Sequence, residues 1–117
     1  MADKNFKIRE GIEVTEEVLE TISGIAALEV EGASALHGNI TSKNIYKSGK
    51  NKIRRAVNVL SNDENTVSVR LSISIKYGYS VIDVTKKIQE KVKNAVESTT
   101  DLKVNSVDVK VSSVQMN

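Results

Sequence analysis

Few residues of this chain have chemistry to offer, and one group stands out by its spacing. Lys43, Lys47, Lys50, Lys52, Arg54 and Arg55 all fall within residues 38–55, a stretch that holds no acidic residue. Such a cluster suits an anionic membrane surface, an acidic protein or a nucleic-acid backbone; the plainer alternative is a solvated loop. Nucleic acid is the less favoured partner. Base stacking calls for aromatic side chains, Tyr46 is the only one in the stretch, and the Gly-x-x-Gly loop of a KH domain is missing. His37 is the sole histidine and there is no cysteine, which excludes a His-pair or thiolate metal site and makes any Ser-His-Asp arrangement depend on His37. Asp63 and Glu64 stand between two strand-like runs, where such residues shape turns. Gly78 precedes a helix-like run but lacks the glycine repeat of a nucleotide loop. No catalytic, cofactor-binding or metal-binding residue is assigned, no cofactor or small-molecule substrate is expected, and the chain is read as a non-enzyme.

Charge is distributed unevenly about the basic stretch. The formal net charge is +2, yet residues 1–37 carry three Lys/Arg against eight Asp/Glu, while residues 38–55 carry six Lys/Arg and no acid. The basic middle can therefore attract an acidic partner or the chain's own acidic first part. At 117 residues the chain is most simply one domain, able to bury about two-thirds of the surface it exposes when unfolded. No apolar run has the length of a signal peptide or of a membrane span, so the expected location is the cytoplasm, at most peripheral at the inner face of the membrane.

The elements that must position these residues follow from periodicity. Residues 1–11 show little pattern and read as a loose arm. Thr15 is suited to cap a helix over about residues 16–28, with Glu16 and Glu17 in its first turn and an apolar stripe of Val18, Leu19, Ile22, Ile25 and Ala26; Glu20 and Ser23 fall off that stripe. Gly24 inside this helix suggests a close packing contact. Residues 29–36 read as a strand interrupted at Gly32, and residues 38–52 as one long basic loop anchored by Ile40, Ile45 and Tyr46. Residues 54–60 and 66–77 form a hairpin across a polar turn. In the second of these strands Val67, Val69, Leu71, Ile73, Ile75 and Tyr77 alternate with Ser68, Arg70, Ser72, Ser74 and Lys76, so one face is buried and one wet. Ser80 caps a second helix over about residues 81–98, and a last strand follows through Val104, Val107, Val109 and Val111 with a phase slip at Ser112 and Ser113. The fold class is α+β in the order α-β-β-β-α-β, with one mixed sheet and both helices on one face. A helix of roughly 27 Å cannot cover a strand of roughly 40 Å, so Val67 and Val69 require the first helix or a second chain to shield them.

These residues resemble a known family. The run from Val67 to Gly78, followed by Ile82, Val84, Ile88-Gln89, Val92, Val96-Glu97, Thr100, Leu102, Val104, the stretch Val107 to Val111 and Val114, is similar to the alkaline-shock and glucose-starvation general stress protein family of Gram-positive bacteria. Upstream, Ile25-Ala-Ala-Leu-Glu-Val-Glu-Gly32 resembles that family's helix end. Two positions depart from the pattern: Ala33 stands where a valine usually follows the glycine, and Asp101 where a glycine usually precedes the leucine. The resemblance implies a non-enzymatic, cytosolic, often membrane-associated oligomer in cell-envelope homeostasis; with the basic stretch, the expected partners are a second copy of the chain and a membrane-anchoring protein or an anionic surface. The alternative function is a small nucleic-acid-binding domain using residues 38–55.

Overall fold

A computed structural model of the chain describes residues 5–9 and 11–116. The longest alternating run forms the central strand, β5 (Thr66–Lys76), although the elements before it contain more than the sequence suggests: β1 (Asn5–Arg9), β2 (Ile12–Thr15), α1 (Glu16–Leu28), β3 (Ala33–Leu36), α2 (Lys50–Ala56) and β4 (Val57–Ser61). After β5 come α3 (Val81–Thr100) and β6 (Lys103–Gln115). β6 runs parallel to β5 along one edge, from Thr66 opposite Lys103 to Lys76 opposite Gln115. The other edge is shared, with β4 antiparallel to its first half and β3 antiparallel to its second. The sheet is thus mixed, and the class α+β. α1 and α3 pack against each other on the face formed by Val67, Val69, Leu71, Ile73 and Ile75, each at most 1% exposed. Each such burial contributes about 1.5–3 kcal/mol. Arg70 and Lys76, on the other face, are exposed.

The starts of α1 and α3 are those the cap residues mark. The Thr15 hydroxyl accepts from the Val18 N–H at 3.2 Å, and the Ser80 hydroxyl from the Asp83 N–H at 3.2 Å. α3 ends on Asp101, which takes the left-handed conformation at φ 65, the position where helices favour glycine. The phase slip in the last strand is a bulge at Ser112, with a second at Asn105.

Several expectations need correction. Instead of a loose arm, residues 5–9 and 12–15 pair as antiparallel strands, β1 with β2, and Phe6 is buried at 3% exposure; residues 1–4 and Glu10 lie outside the described residues. The strand expected over residues 29–36 begins only at Ala33. Val30 and Glu29 continue the turns of α1, and Gly32, at φ 98, lies so close beneath Tyr79 and Val84 that a Cβ would sit 2.8 Å from each. The strand expected over residues 54–60 starts at Val57, because Lys50–Ala56 is helical. α1 is rolled relative to its apolar stripe: Leu19, Glu20, Ser23, Gly24, Ala26 and Ala27 are buried, while Val18 is 43% exposed. The small residues explain the roll. A Cβ on Gly24 would lie 3.0 Å from the Ile45 side chain and 3.1 Å from Leu36, the close contact its presence suggests.

The buried face of β5 also stops earlier than the alternation implies. Tyr77 is 68% exposed, since the chain turns away at Gly78, and Val81 is exposed as well. At the opposite end Val67 and Val69 are fully buried within the single chain, with Leu102 and Val104 buried beside them. The mismatch in length between helix and strand therefore leaves no core residue bare there.

Candidate functional site

The basic stretch is folded by its own apolar and amide residues. Asn39, in the left-handed region at φ 60, turns the chain so that Leu36 and Ile40 form a bridge. Asn44 then ties the segment: its Oδ1 accepts from the Thr41 N–H at 2.8 Å, and its Nδ2 donates to the Asn39 carbonyl at 3.0 Å. A 3₁₀ turn at Ile45–Lys47 follows, and α2 begins after Gly49. Ile40, Ile45 and Ile53 are the anchors, at 0%, 1% and 4% exposure. Tyr46, expected to be a third anchor of the loop, points outward at 75% exposure. The stretch is thus a fixed platform, and two structured pieces occupy what reads as one long loop.

The six basic residues divide into two groups. Lys43, Lys47, Lys50, Lys52 and Arg55 are exposed. The Lys52 stem lies against Gly38, so the end of the stretch returns to its beginning. Arg54 faces inward: its Nε donates to both carboxylate oxygens of Glu20, at 3.2 and 3.1 Å, and the Glu20 side chain is 2% exposed. A buried carboxylate is tolerated when a hydrogen-bonded cation meets it. Part of the basic charge does neutralise the acidic first helix, through this pair. Glu20 is the buried group that the sequence placed on the wet side; the signal that marks it is its helical spacing from Ser23, Gly24 and Ala27, all small.

The remaining sequence candidates have separate settings. His37 is exposed at the end of β3, with its backbone N–H donating to the Ser72 carbonyl at 3.0 Å. Asp63 lies in the β4–β5 turn, where its carboxylate accepts from the Asn65 N–H at 3.0 Å; that bond, and the Thr66 hydroxyl after it, hold its pKa below the usual value against a small opposing effect of burial. Its role is to shape the turn. Gly78 carries φ 96 between β5 and α3. Among the described residues no group of three or more His, Cys, Asp or Glu is placed to hold a metal ion.

A second surface escapes sequence reasoning. Tyr77, Tyr79, Val81, Ile82, Val114 and Met116 are all at least 40% exposed near the β5–α3 turn and the end of β6. A groove of about 390 Å³ lies there, lined by Ser34, Lys76, Tyr77, Tyr79, Gln115 and Met116. The available signal is compositional: the chain has three tyrosines, one phenylalanine and no tryptophan, and all three tyrosines are on the surface. Periodicity hid the rim, because Tyr77 and Val81 continue the apolar alternation of the elements they terminate.

No helix among the described residues is long and apolar enough to cross a membrane. No solved structure matches the chain. Its relatives include YqhY of Bacillus subtilis (strain 168), 30% identical over 105 residues that span 89% of this chain and 76% of that protein. Spy1614 of Streptococcus pyogenes serotype M6 is 30% identical over 107 residues, 90% of this chain and 88% of its own. YloU of Bacillus subtilis (strain 168) is 28% identical over 110 residues, again 90% and 88%. A family model matches residues 4–116, nearly the whole sequence, and on that match the chain belongs to the alkaline-shock protein 23 family, a family of cell envelope-related function.

Proposed function

We propose that this protein is a non-catalytic, self-associating interaction module of cell-envelope homeostasis, peripheral to the inner face of the membrane through its basic platform. The observation that carries this reading is the division of the basic stretch. Arg54 is used inside, while Lys43, Lys47, Lys52 and Arg55 are turned to solvent from a backbone pinned by three buried isoleucines. A platform that holds positive charge outward on a fixed frame is suited to an anionic lipid surface or an acidic segment of a membrane-anchored partner. The exposed tyrosine and aliphatic rim adds apolar contact area of the kind interfaces use.

The test is the triple variant Lys43→Glu, Lys47→Glu, Lys52→Glu, assayed for cosedimentation with vesicles of phosphatidylglycerol and for distribution between membrane and soluble fractions in cells. Binding by the parent protein should fall steeply as the screening length shortens from about 10 Å at 0.1 M salt to about 3 Å at 1 M. The variant should lose it at every salt concentration, with a melting temperature close to the parent's, because exposed charges contribute about 0–1 kcal/mol each. Unchanged membrane distribution would remove the platform from the account. A second reading, single-stranded nucleic acid on the same platform, is favoured by Tyr46, exposed among the lysines. Tyr46→Ala separates the two, since it should weaken oligonucleotide binding and leave vesicle binding unchanged.

A further inference from the structure

β6 hydrogen-bonds to β5 and to no other strand among those described, which leaves one edge of a 13-residue strand unpaired. Open edges recruit other strands unless something blunts them. Here the two bulges, at Asn105 and Ser112, interrupt the strand near its ends and leave Ser106 to Val111 in regular register with Ser68 to Ile73. Gln89 of α3 donates to the Val107 carbonyl at 2.9 Å, so that carbonyl faces away from β5. In a regular strand the backbone groups alternate between the two edges, and Val109 and Val111 therefore also present N–H and C=O outward. Their side chains, on the helix-covered face, are only partly buried.

We propose that this edge pairs with the same edge of a second copy of the chain, antiparallel and centred on Val109, extending the sheet across a two-fold axis. The proposal rests on the self-association proposed above and gives it an interface. Register follows from two requirements. Residues directly opposite each other in an antiparallel pair point to the same side, so a valine of the core-facing set must oppose a valine of that set in the other copy. Among the pairings that satisfy this, centring on Asp108 would oppose two carboxylates, and centring on Lys110 would oppose two ammonium groups. Centring on Val109 sets Asp108 opposite Lys110 of the second copy, and Lys110 opposite its Asp108. Val107 then meets Val111 of the second copy, which continues the apolar face, and the outward N–H and C=O groups of Val109 meet their own counterparts. A groove of about 330 Å³ along this edge, between α3 and β6, has Val104 and Val107 in its lining and leaves room for the approaching strand. The Val107 carbonyl retains a second lone pair beside the Gln89 bond.

The charge pattern supplies its own test. Dissociation constants are measured by analytical ultracentrifugation for the full chain and for Asp108→Lys, Lys110→Asp and the doubly swapped variant D108K/K110D. Both side chains are exposed, so circular dichroism should show each variant folded. Each single substitution makes both cross-strand pairs repulsive and should weaken association by roughly tenfold or more. The double swap should restore it, and an equimolar mixture of the two single variants should associate more tightly than either alone. Val109→Pro removes the outward N–H at the centre while sparing the β5–β6 bonds, and should also weaken association. If the parent associates and none of these variants alters its dissociation constant, the edge is not the interface and self-association stands on another surface. A parent that remains monomeric throughout the concentration range overturns both proposals.

Discussion

Arg54 offers the sharpest energetic test, because its ion pair with Glu20 reaches a carboxylate buried in the core. Substituting Arg54→Ala would leave the Glu20 carboxylate, 1% exposed in the folded chain, without the guanidinium that accompanies it. Removing one partner of a buried pair costs about 3–5 kcal/mol. The Arg54 side chain is 29% exposed, so the pair is not wholly removed from water and the lower end of that range, about 3 kcal/mol, is the appropriate figure. Against a total stability of about 5–15 kcal/mol this is a large fraction. At roughly 4 °C per kcal/mol for a domain of this size, the melting temperature should drop by about 12 °C.

Thermal melts followed by circular dichroism, with urea titrations to confirm an unchanged m-value, measure this directly. The companion variant Glu20→Leu with Arg54→Met replaces the pair by apolar side chains of similar volume and should recover most of the loss, to within about 1–2 kcal/mol of the parent. Arg54→Ala melting within about 3 °C of the parent would refute the reasoning, since that is the behaviour of a surface pair contributing at most about 1 kcal/mol.

Two further contrasts test the packing. Ile73→Asp places a carboxylate at a position with no exposure and should cost several kcal/mol, whereas Ser72→Asp, on the wet face of the same strand, should melt near the parent temperature; equal melting of the two would reverse the face assignment. Gly32→Ala and Gly78→Ala both force alanine to positive φ, but only at Gly32 does the new methyl collide with a neighbour, 2.8 Å from Tyr79 and Val84, while nothing lies within 4 Å at Gly78. Urea titration should therefore find Gly78→Ala about 1–2 kcal/mol less stable than the parent and Gly32→Ala less stable by at least 1 kcal/mol more.

What was legible in the sequence was whatever repeats over enough residues to average out exceptions. β5 and α3 carry eleven and twenty residues, and their faces follow the alternation and the 3.6-residue stripe except where each terminates and at Ser74, which the wet-face set includes but which is buried at 7% exposure against Ser113. α2, at seven residues, is too short for a period to show: Ile53 and Ala56 are its only buried positions, and they merge with the Val57 and Val59 alternation that follows. The hairpin of β1 and β2 has short strands around Gly11, whose φ of 79 is the sole turn signal. Glu20 is only faintly marked, by its spacing from Ser23, Gly24 and Ala27, for another reason. Hydropathy places a carboxylate outside by default, and the tertiary placement of Arg54, 34 residues on, is what helps make its burial tolerable.

The division of the basic stretch changes what charge reversal there means. A variant that includes Arg54→Glu would set two carboxylates against each other in the core, and any loss of the membrane association proposed above would then report unfolding. Confining the reversal to Lys43, Lys47 and Lys52 leaves the Glu20 pair intact, so a loss of association at constant melting temperature can be assigned to the surface. The inward arginine and the outward lysines come from one backbone segment, held by Ile40, Ile45 and Ile53. Its position on the acidic helix is fixed by the same charge that, a few residues earlier, is turned to solvent. Stability and the binding proposed for this segment are accordingly separable by residue, although the residues concerned are adjacent in sequence and alike in charge.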